Sequence, residues 1–289
     1  MIALACLTGA ACGRRAYPSA PDATPSHTNE PASIDARTVG VVDARDLDVG
    51  PADHARPTAD SGDAARPTPA IRTVPFAEDR SAFVVMPRLP THAPRLLAAI
   101  HGVCTPPSYV CGEWQNAASD KGLLVCPTGN SSCGPDGTGG PTWEGPFSGI
   151  DTDLELSIEA VRRQLAPSLT HDGAVLVGYS RGGYVAVITA VRHPGRWPFL
   201  IVNEADVDLT VPMLRGAGVR AVALIAGEWG TQLAGERRTA AALMAEGYPA
   251  RVWVMGKTGH PYSTDIDAIM QEALDFVLSQ EATPAPHDP

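Results

Sequence analysis

Between residues 71 and 280, short apolar runs alternate with segments in which apolar residues recur every three or four positions. The runs are IRTVPF (71–76), SAFVVM (81–86), RLLAAIHG (95–102), GLLVC (122–126), AVLVG (174–178), PFLIVN (198–203), VRAVALIAG (219–227) and ARVWVM (250–255). Most of these eight show no polar alternation, as expected of strands buried on both faces of a sheet. Helical periodicity fills the intervals. In DTDLELSIEAVRRQL (151–165), Leu154, Ile158, Val161 and Leu165 share one face, and Asp151 or Asp153 can cap the start. RGGYVAVITAVRHP (181–194) is stopped by Pro194, and AGERRTAAALMAEG (234–247) ends on Gly247, a natural left-handed cap, with Pro249 beyond it. STDIDAIMQEALDFVLSQ (263–280) puts Ile266, Ile269, Met270, Leu274, Phe276 and Val277 on its apolar side, with Asp265 as N-cap. Strand and helix in alternation predict one α/β domain over 71–280, a mostly parallel eight-stranded sheet with helices on both faces.

The pattern stops outside that span. Residues 13–70 are rich in Pro, Ala, Asp and Thr, with Tyr17 as their one aromatic. They carry too little apolar surface to offset the entropy of ordering, so a disordered tether is expected, and a disordered tail over 281–289. The opening MIALACLTGAACGRR reads as the later part of a bacterial export signal over 1–12, with Cys6 or Cys12 where a lipid-acceptor cysteine would stand. Its apolar run is shorter than the roughly 18 residues that span a bilayer. The chain is therefore expected to be exported: periplasmic, extracellular, or tethered to a membrane through a lipid.

Four cysteines fall within the domain, and Cys104 to Cys111 and Cys126 to Cys133 are each seven apart. In an exported chain such loop cysteines pair as disulfides, and four of them allow three connectivities. Sequence proximity favours Cys104–Cys111 and Cys126–Cys133. A metal site using His101 and Cys104 would need a paired C-x-x-C spacing that is missing, so neither metal nor cofactor is expected. The net charge of −10 excludes a nucleic-acid partner, which rewards basic surface.

Chemistry concentrates at Gly178-Tyr179-Ser180-Arg181-Gly182, a G-x-S-x-G motif. With 28 glycines in the chain such a match is cheap, and a serine N-cap would explain it equally well. Its context is more telling. AVLVG before it is a strand and RGGYVAVITAVR after it a helix, so the serine sits at a strand-to-helix turn. A serine hydroxyl needs a base and an orienting carboxylate. His260, in MGKTGHPYSTD between the last strand and the last helix, is the leading base, and His101, in AIHGVC, its rival.

With HG after the third strand, GYSRGG after the fifth and GHP after the eighth, the span 71–280 resembles the α/β-hydrolases. It is most similar to small secreted esterases without a cap domain, such as polyhydroxybutyrate depolymerases, feruloyl esterases and dienelactone hydrolases. The resemblance implies Ser180 as nucleophile, His260 as base, and an oxyanion hole from the N–H of Arg181 with that of Val103 or Cys104. It also implies an acid just beyond the seventh strand, where only Glu228 is available. Asp206, after the sixth strand, is the alternative, with Glu204 behind it. The segments 105–116 and 128–150 are expected to form the mouth as loops, with His101, Tyr179, Trp114, Trp143, Phe147 and Trp229 lining it. The implied activity is hydrolysis of a small-molecule or polymeric carboxylic ester. A peptidase or amidase of the same fold, or an inactive binding module on it, are the alternatives.

Overall fold

The computed structural model describes residues 68–134 and 136–282. The expected leader, almost all of the tether and most of the tail lie outside the described residues. All eight expected strands form: β1 (Ile71–Pro75), β2 (Ser81–Val85), β3 (Arg95–Ile100), β4 (Leu123–Pro127), β7 (Thr170–Tyr179), β8 (Phe199–Asn203), β9 (Ala221–Gly227) and β10 (Ala250–Met255). Between β4 and β7 a two-residue pair, β5 (Ser131–Ser132) and β6 (Pro141–Thr142), makes a small antiparallel hairpin of its own. The large sheet runs in the order β1-β2-β4-β3-β7-β8-β9-β10. From β4 to β10 every pairing is parallel, while β1 and β2 run antiparallel at one edge. The sheet is therefore mixed, with its parallel part carrying the candidate chemistry.

Six helices cover it: α1 (Pro107–Ser119), α2 (Phe147–Gln164), α3 (Arg181–Arg192), α4 (Val211–Gly216), α5 (Leu233–Ala245) and α6 (Ile266–Ser279). Strand side chains divide between two cores. Leu96, Ala98 and Ile100 of β3 join Leu176, Leu200, Ile158 and Val185 on one face. Leu97 and Ala99 join Val175, Val177, Trp114, Met270 and Leu274 on the other. This is the period-2 alternation of a strand whose two faces are both apolar, which is why the runs read as continuous in the sequence.

Three local readings change. Segment 105–116 is not a loop but most of α1, begun by Pro106 and by Pro107 at its first turn, a position where proline's missing N–H costs nothing. Its buried face, Val110, Cys111, Trp114, Ala117 and Ala118, has helical spacing that the prolines and Gly112 obscured. Asp151 does not cap α2, which starts at Phe147; it lies inside the helix, buried, accepting from Thr189 Oγ1 at 3.0 Å and paired with Arg192 at 2.6 Å. The disulfides join Cys104 to Cys133 and Cys111 to Cys126, not neighbours in sequence. Because α1 packs on β4, its Cys111 meets Cys126 of that strand, and Cys104 is left for the hairpin turn. Two disulfides suit an oxidising compartment. Among the described residues no helix is long and apolar enough to cross a membrane.

Strand register brings the carboxyl ends together. Ile100 aligns with Gly178, Tyr179 with Asn203, Asn203 with Ile225, and Gly227 with Met255. The segments that begin at His101, Ser180, Glu204, Glu228 and Gly256 thus emerge along one edge of the sheet, the crevice where parallel sheets gather ligands. Only 17 residues link β8 to β9, and α4 is the one helix among them, so no cap is inserted there.

Candidate active site

Ser180 is held at φ 55°, ψ −124°, a backbone conformation that side chains other than hydrogen rarely take, at a cost on the order of 1–3 kcal/mol. Its surroundings enforce the turn. The Ser180 N–H donates to Asn203 O at 2.8 Å, and its carbonyl accepts from Gly183 N–H at 2.8 Å. A methyl on Gly178 would strike the carbonyl of Gly182, and one on Gly182 would strike the carbonyls of Ile100 and His101. A methyl on Gly183 would stand 2.6 Å from the Ala205 side chain. The glycines let α3 press against the ends of β3 and β8 and lift Ser180 between them.

His260 Nε2 lies 2.9 Å from Ser180 Oγ. Its loop is tied to the elbow from below, since Tyr179 donates its hydroxyl to His260 O at 3.1 Å and its ring lies 5.4 Å from the imidazole. Tyr262, 4.8 Å from the Tyr179 ring, donates its N–H to the Tyr109 hydroxyl at 3.2 Å, and its own hydroxyl accepts from Trp114 Nε1 at 3.4 Å. Burial pushes the Tyr179 and Tyr262 phenols well above their ordinary range, so both stay protonated.

The carboxylate facing His260 is Glu204, the first residue past β8. Glu204 Oε2 is 3.4 Å from His260 Nδ1, an ion-pair separation longer than a good hydrogen bond, and its side chain is fully buried. Oε1 accepts the N–H of Gly227, and the residue's own N–H donates to Ile225 O at 2.9 Å. Glu204 also has a positive φ, 52°. Glu228 faces elsewhere, exposed, with Oε2 accepting from Lys257 N–H at 3.0 Å. Asp206, part-exposed, lies 3.9 Å from Arg238. The carboxylate nearest His260 Nδ1 thus follows the sixth long strand and not the seventh, and it is Glu204, the candidate placed behind Glu228 and Asp206 from the sequence.

Behind Glu204 sits a second carboxyl. Glu236 of α5 is fully buried, and its Oε1 accepts the Ala205 N–H at 3.1 Å. Oε2 makes no hydrogen bond among the described residues. Burial, with smaller contributions from Glu204 and Asp206, pushes its pKa up to about 9, so it is neutral at pH 7.

On the other side of Ser180, His101 is buried and part of the framework. Its Nε2 accepts from Gly129 N–H at 2.9 Å, which leaves the proton on Nδ1 to be donated to Gly102 O at 2.8 Å. Burial lowers its pKa to about 4, so it stays the neutral tautomer these two bonds require. Thr105 Oγ1 donates to Val103 O at 3.1 Å. In a trans peptide the C=O and N–H point opposite ways, so occupying these two carbonyls turns the N–H groups of Val103 and Cys104 away from His101 and Thr105. Gly102 packs on Ser180: a methyl there would be 3.0 Å from Ser180 Cβ. Arg181 opens α3, and its N–H has no acceptor within the helix.

The expected lining divides. Trp114 and Trp143 are fully buried, Trp143 donating Nε1–H to His101 O at 3.1 Å, and Phe147 packs on the core. Trp229 is 68% exposed and Val103 48%, beside the His260 loop and on the segment after β3 respectively. Trp229 N–H donates to Thr258 O at 2.9 Å, which fixes it two residues from His260.

The overall fold has counterparts among solved structures. The chain is similar to a bacterial heroin esterase (TM-score 0.53, 13% identity, covering 75% of this chain and 86% of that one). It is similar to esterase B from Lactobacillus rhamnosis (TM-score 0.52, 12% identity, 75% and 90%). An S-formylglutathione hydrolase from Agrobacterium tumefaciens gives TM-score 0.52 at 17% identity, over 73% and 94%. The fold is that of the α/β-hydrolases. No family model and no curated protein matches the sequence. On this fold the strained Ser180 stands at the strand-to-helix turn after β7, and His260 follows β10, the last strand of the sheet.

Proposed function

We propose that this α/β-hydrolase-fold protein is a serine hydrolase that cleaves carboxylic esters through an acyl-enzyme on Ser180. The observation that carries the proposal is the relay itself: a strained Ser180 whose Oγ is 2.9 Å from His260 Nε2, with the buried Glu204 carboxylate 3.4 Å from Nδ1. His260 Nε2 takes the Ser180 proton as Oγ attacks the ester carbonyl carbon. The charge that forms on the carbonyl oxygen is received by the N–H of Arg181 and that of Val103 or Cys104, each donor contributing about 3 kcal/mol of barrier lowering. His260 then passes its proton to the departing alcohol, leaving the acyl group on Ser180. Water, deprotonated by the same imidazole, attacks the acyl carbon, and the acid leaves as Oγ regains its proton. Glu204 holds the Nδ1–H tautomer and stabilises the imidazolium.

Exposed Trp229 and Val103 offer apolar contact to acyl or alcohol parts of a substrate, and the absence of a cap at the β8–β9 link suits both small and polymeric esters. The three fold relatives named above are an esterase, an esterase and a thioester-cleaving hydrolase by name, which supports this reaction class by analogy of fold. Two disulfides support an exported chain; a lipid on Cys6 or Cys12 as its anchor rests on the sequence of the opening segment alone.

The test is labelling with a fluorophosphonate, which phosphonylates an activated serine without knowledge of the substrate, followed by peptide mapping and p-nitrophenyl ester assays. Stoichiometric labelling at Ser180, lost in Ser180→Ala together with hydrolysis, is expected. Folded protein that neither labels nor hydrolyses would overturn the proposal in favour of a binding module.

A further inference from the structure

Resting on that reading, we propose that the Cys104–Cys133 disulfide is a positioning element of the ester-cleaving site, fastening the segment that carries the Val103 and Cys104 N–H groups to the β5–β6 hairpin. Cys104 stands two residues beyond Gly102, which abuts Ser180, and has φ 53°. A residue with a side chain keeps such a backbone only where its surroundings over-determine it. Here they come from one source. Gly129, two residues before β5, supplies its N–H to His101 Nε2, and Trp143 directly after β6 supplies its indole N–H to His101 O. A methyl on Gly140 would run into the Cys104 carbonyl, so the hairpin backbone lies against it. Cys133 is itself fixed in the turn, donating N–H to Gly140 O at 2.9 Å and accepting from Gly139 N–H at 2.8 Å. The hydrogen bonds grip the start of the segment at His101. Cys104 itself makes no hydrogen bond among the described residues, and is held by the disulfide and by the Gly140 backbone packed on its carbonyl.

The second disulfide is a control within the same molecule. Cys111 and Cys126 are both fully buried, joining α1 to β4 inside the core. Cys104 is exposed and Cys133 half-buried, so a thiolate reaches that bridge first. Attack by one thiolate of dithiothreitol on either sulfur forms a mixed disulfide and releases the other cysteine. The second thiol of the reagent then closes its six-membered cyclic disulfide and releases the first cysteine. Two electrons and two protons pass from the dithiol to Cys104 and Cys133.

The experiment uses the full oxidised chain, mild dithiothreitol under native conditions, removal of the reagent, and alkylation of an aliquot to map the freed thiols. Release of Cys104 and Cys133 should lower kcat for p-nitrophenyl esters about tenfold to a hundredfold, a fraction of what losing an oxyanion donor outright costs. KM should stay within about threefold, circular dichroism should be unchanged, and reoxidation should restore kcat. The double variant Cys104→Ser/Cys133→Ser should reproduce the loss, while Cys111→Ser/Cys126→Ser should change thermal stability and leave kcat near wild type. An unchanged kcat with Cys104 and Cys133 free overturns this inference alone. So does a loss that appears only together with lost circular dichroism. Oxidised protein that takes up no fluorophosphonate overturns the serine-hydrolase reading as well, and is seen before any reductant is added.

Discussion

The Ser180 side and the Glu204 side of the proposed site are built on different physical principles. Around Ser180 the constraint is steric: Gly102, Gly178, Gly182 and Gly183 each sit where a methyl would meet backbone or another side chain, so residue identity follows from space. Around Glu204 the constraint is electrostatic and hydrogen-bonded. A buried carboxylate is held by the Gly227 N–H, and the next peptide is held by the Glu236 carboxyl. Space admits one residue type, whereas a charge can be delivered from several strand ends. The steric side therefore leaves a motif in the sequence and the electrostatic side leaves none.

The sharpest way to break this comparison is Glu204→Gln. Gln keeps an acceptor for Gly227 N–H but turns an amide N–H toward His260 Nδ1, which favours the tautomer carrying its proton on Nε2, unable to accept from Ser180. The expected outcome is a fall in kcat of up to about ten-thousandfold with the fold intact by circular dichroism. A loss smaller than about tenfold would mean that another group orients His260 and would remove Glu204 from the proposed relay.

The same contrast explains what was legible in the sequence. All eight long strands were, because a strand buried on both faces is a continuous apolar run whatever lies beside it. The elbow was legible because its glycines are obligatory. Helix α1 was hidden because Pro106, Pro107 and Gly112 suggest a loop, although the prolines occupy a helix start. The disulfide partners were hidden because pairing depends on α1 packing against β4, a tertiary fact, and the nearest cysteine in sequence is not the nearest in space. The carboxylate beside His260 was hidden because Glu204, Asp206 and Glu228 all follow apolar strands, and only the depth of each carboxylate and its distance from Nδ1 tells them apart.

A smaller effect sharpens the acid side. Glu236 in the folded chain holds its proton up to about pH 9, while an ordinary carboxyl in the unfolded chain releases it above about 4.5. Between those values the folded state binds more protons than the unfolded one, so the contribution to stability falls as pH rises. Glu236→Gln removes the titration and keeps an acceptor for Ala205 N–H. The variant should be more stable than wild type, by up to about 3 kcal/mol at pH 7, with the gain growing from pH 5 to pH 9 in urea unfolding. Ester hydrolysis should stay within about threefold. A gain independent of pH would show that Glu236 is ionised in the folded protein.

The smallest expected effect is at Glu228, and it is informative because the resemblance to secreted esterases assigns the acid to that position. Glu228 is exposed, and its Oε2 accepts Lys257 N–H at 3.0 Å, across the turn that leads from β10 toward His260. Lys257 has φ 55°, so this hydrogen bond helps hold a strained residue three positions before the base. Glu228→Gln retains an oxygen acceptor for that N–H and changes only the charge, which water screens at an exposed site. Hydrolysis should change by less than about threefold and stability by less than about 0.5 kcal/mol. A large loss of kcat in Glu228→Gln with Glu204→Gln near wild type would reverse the two assignments, and would require the His260 loop to bring its Nδ1 around to the seventh strand during turnover.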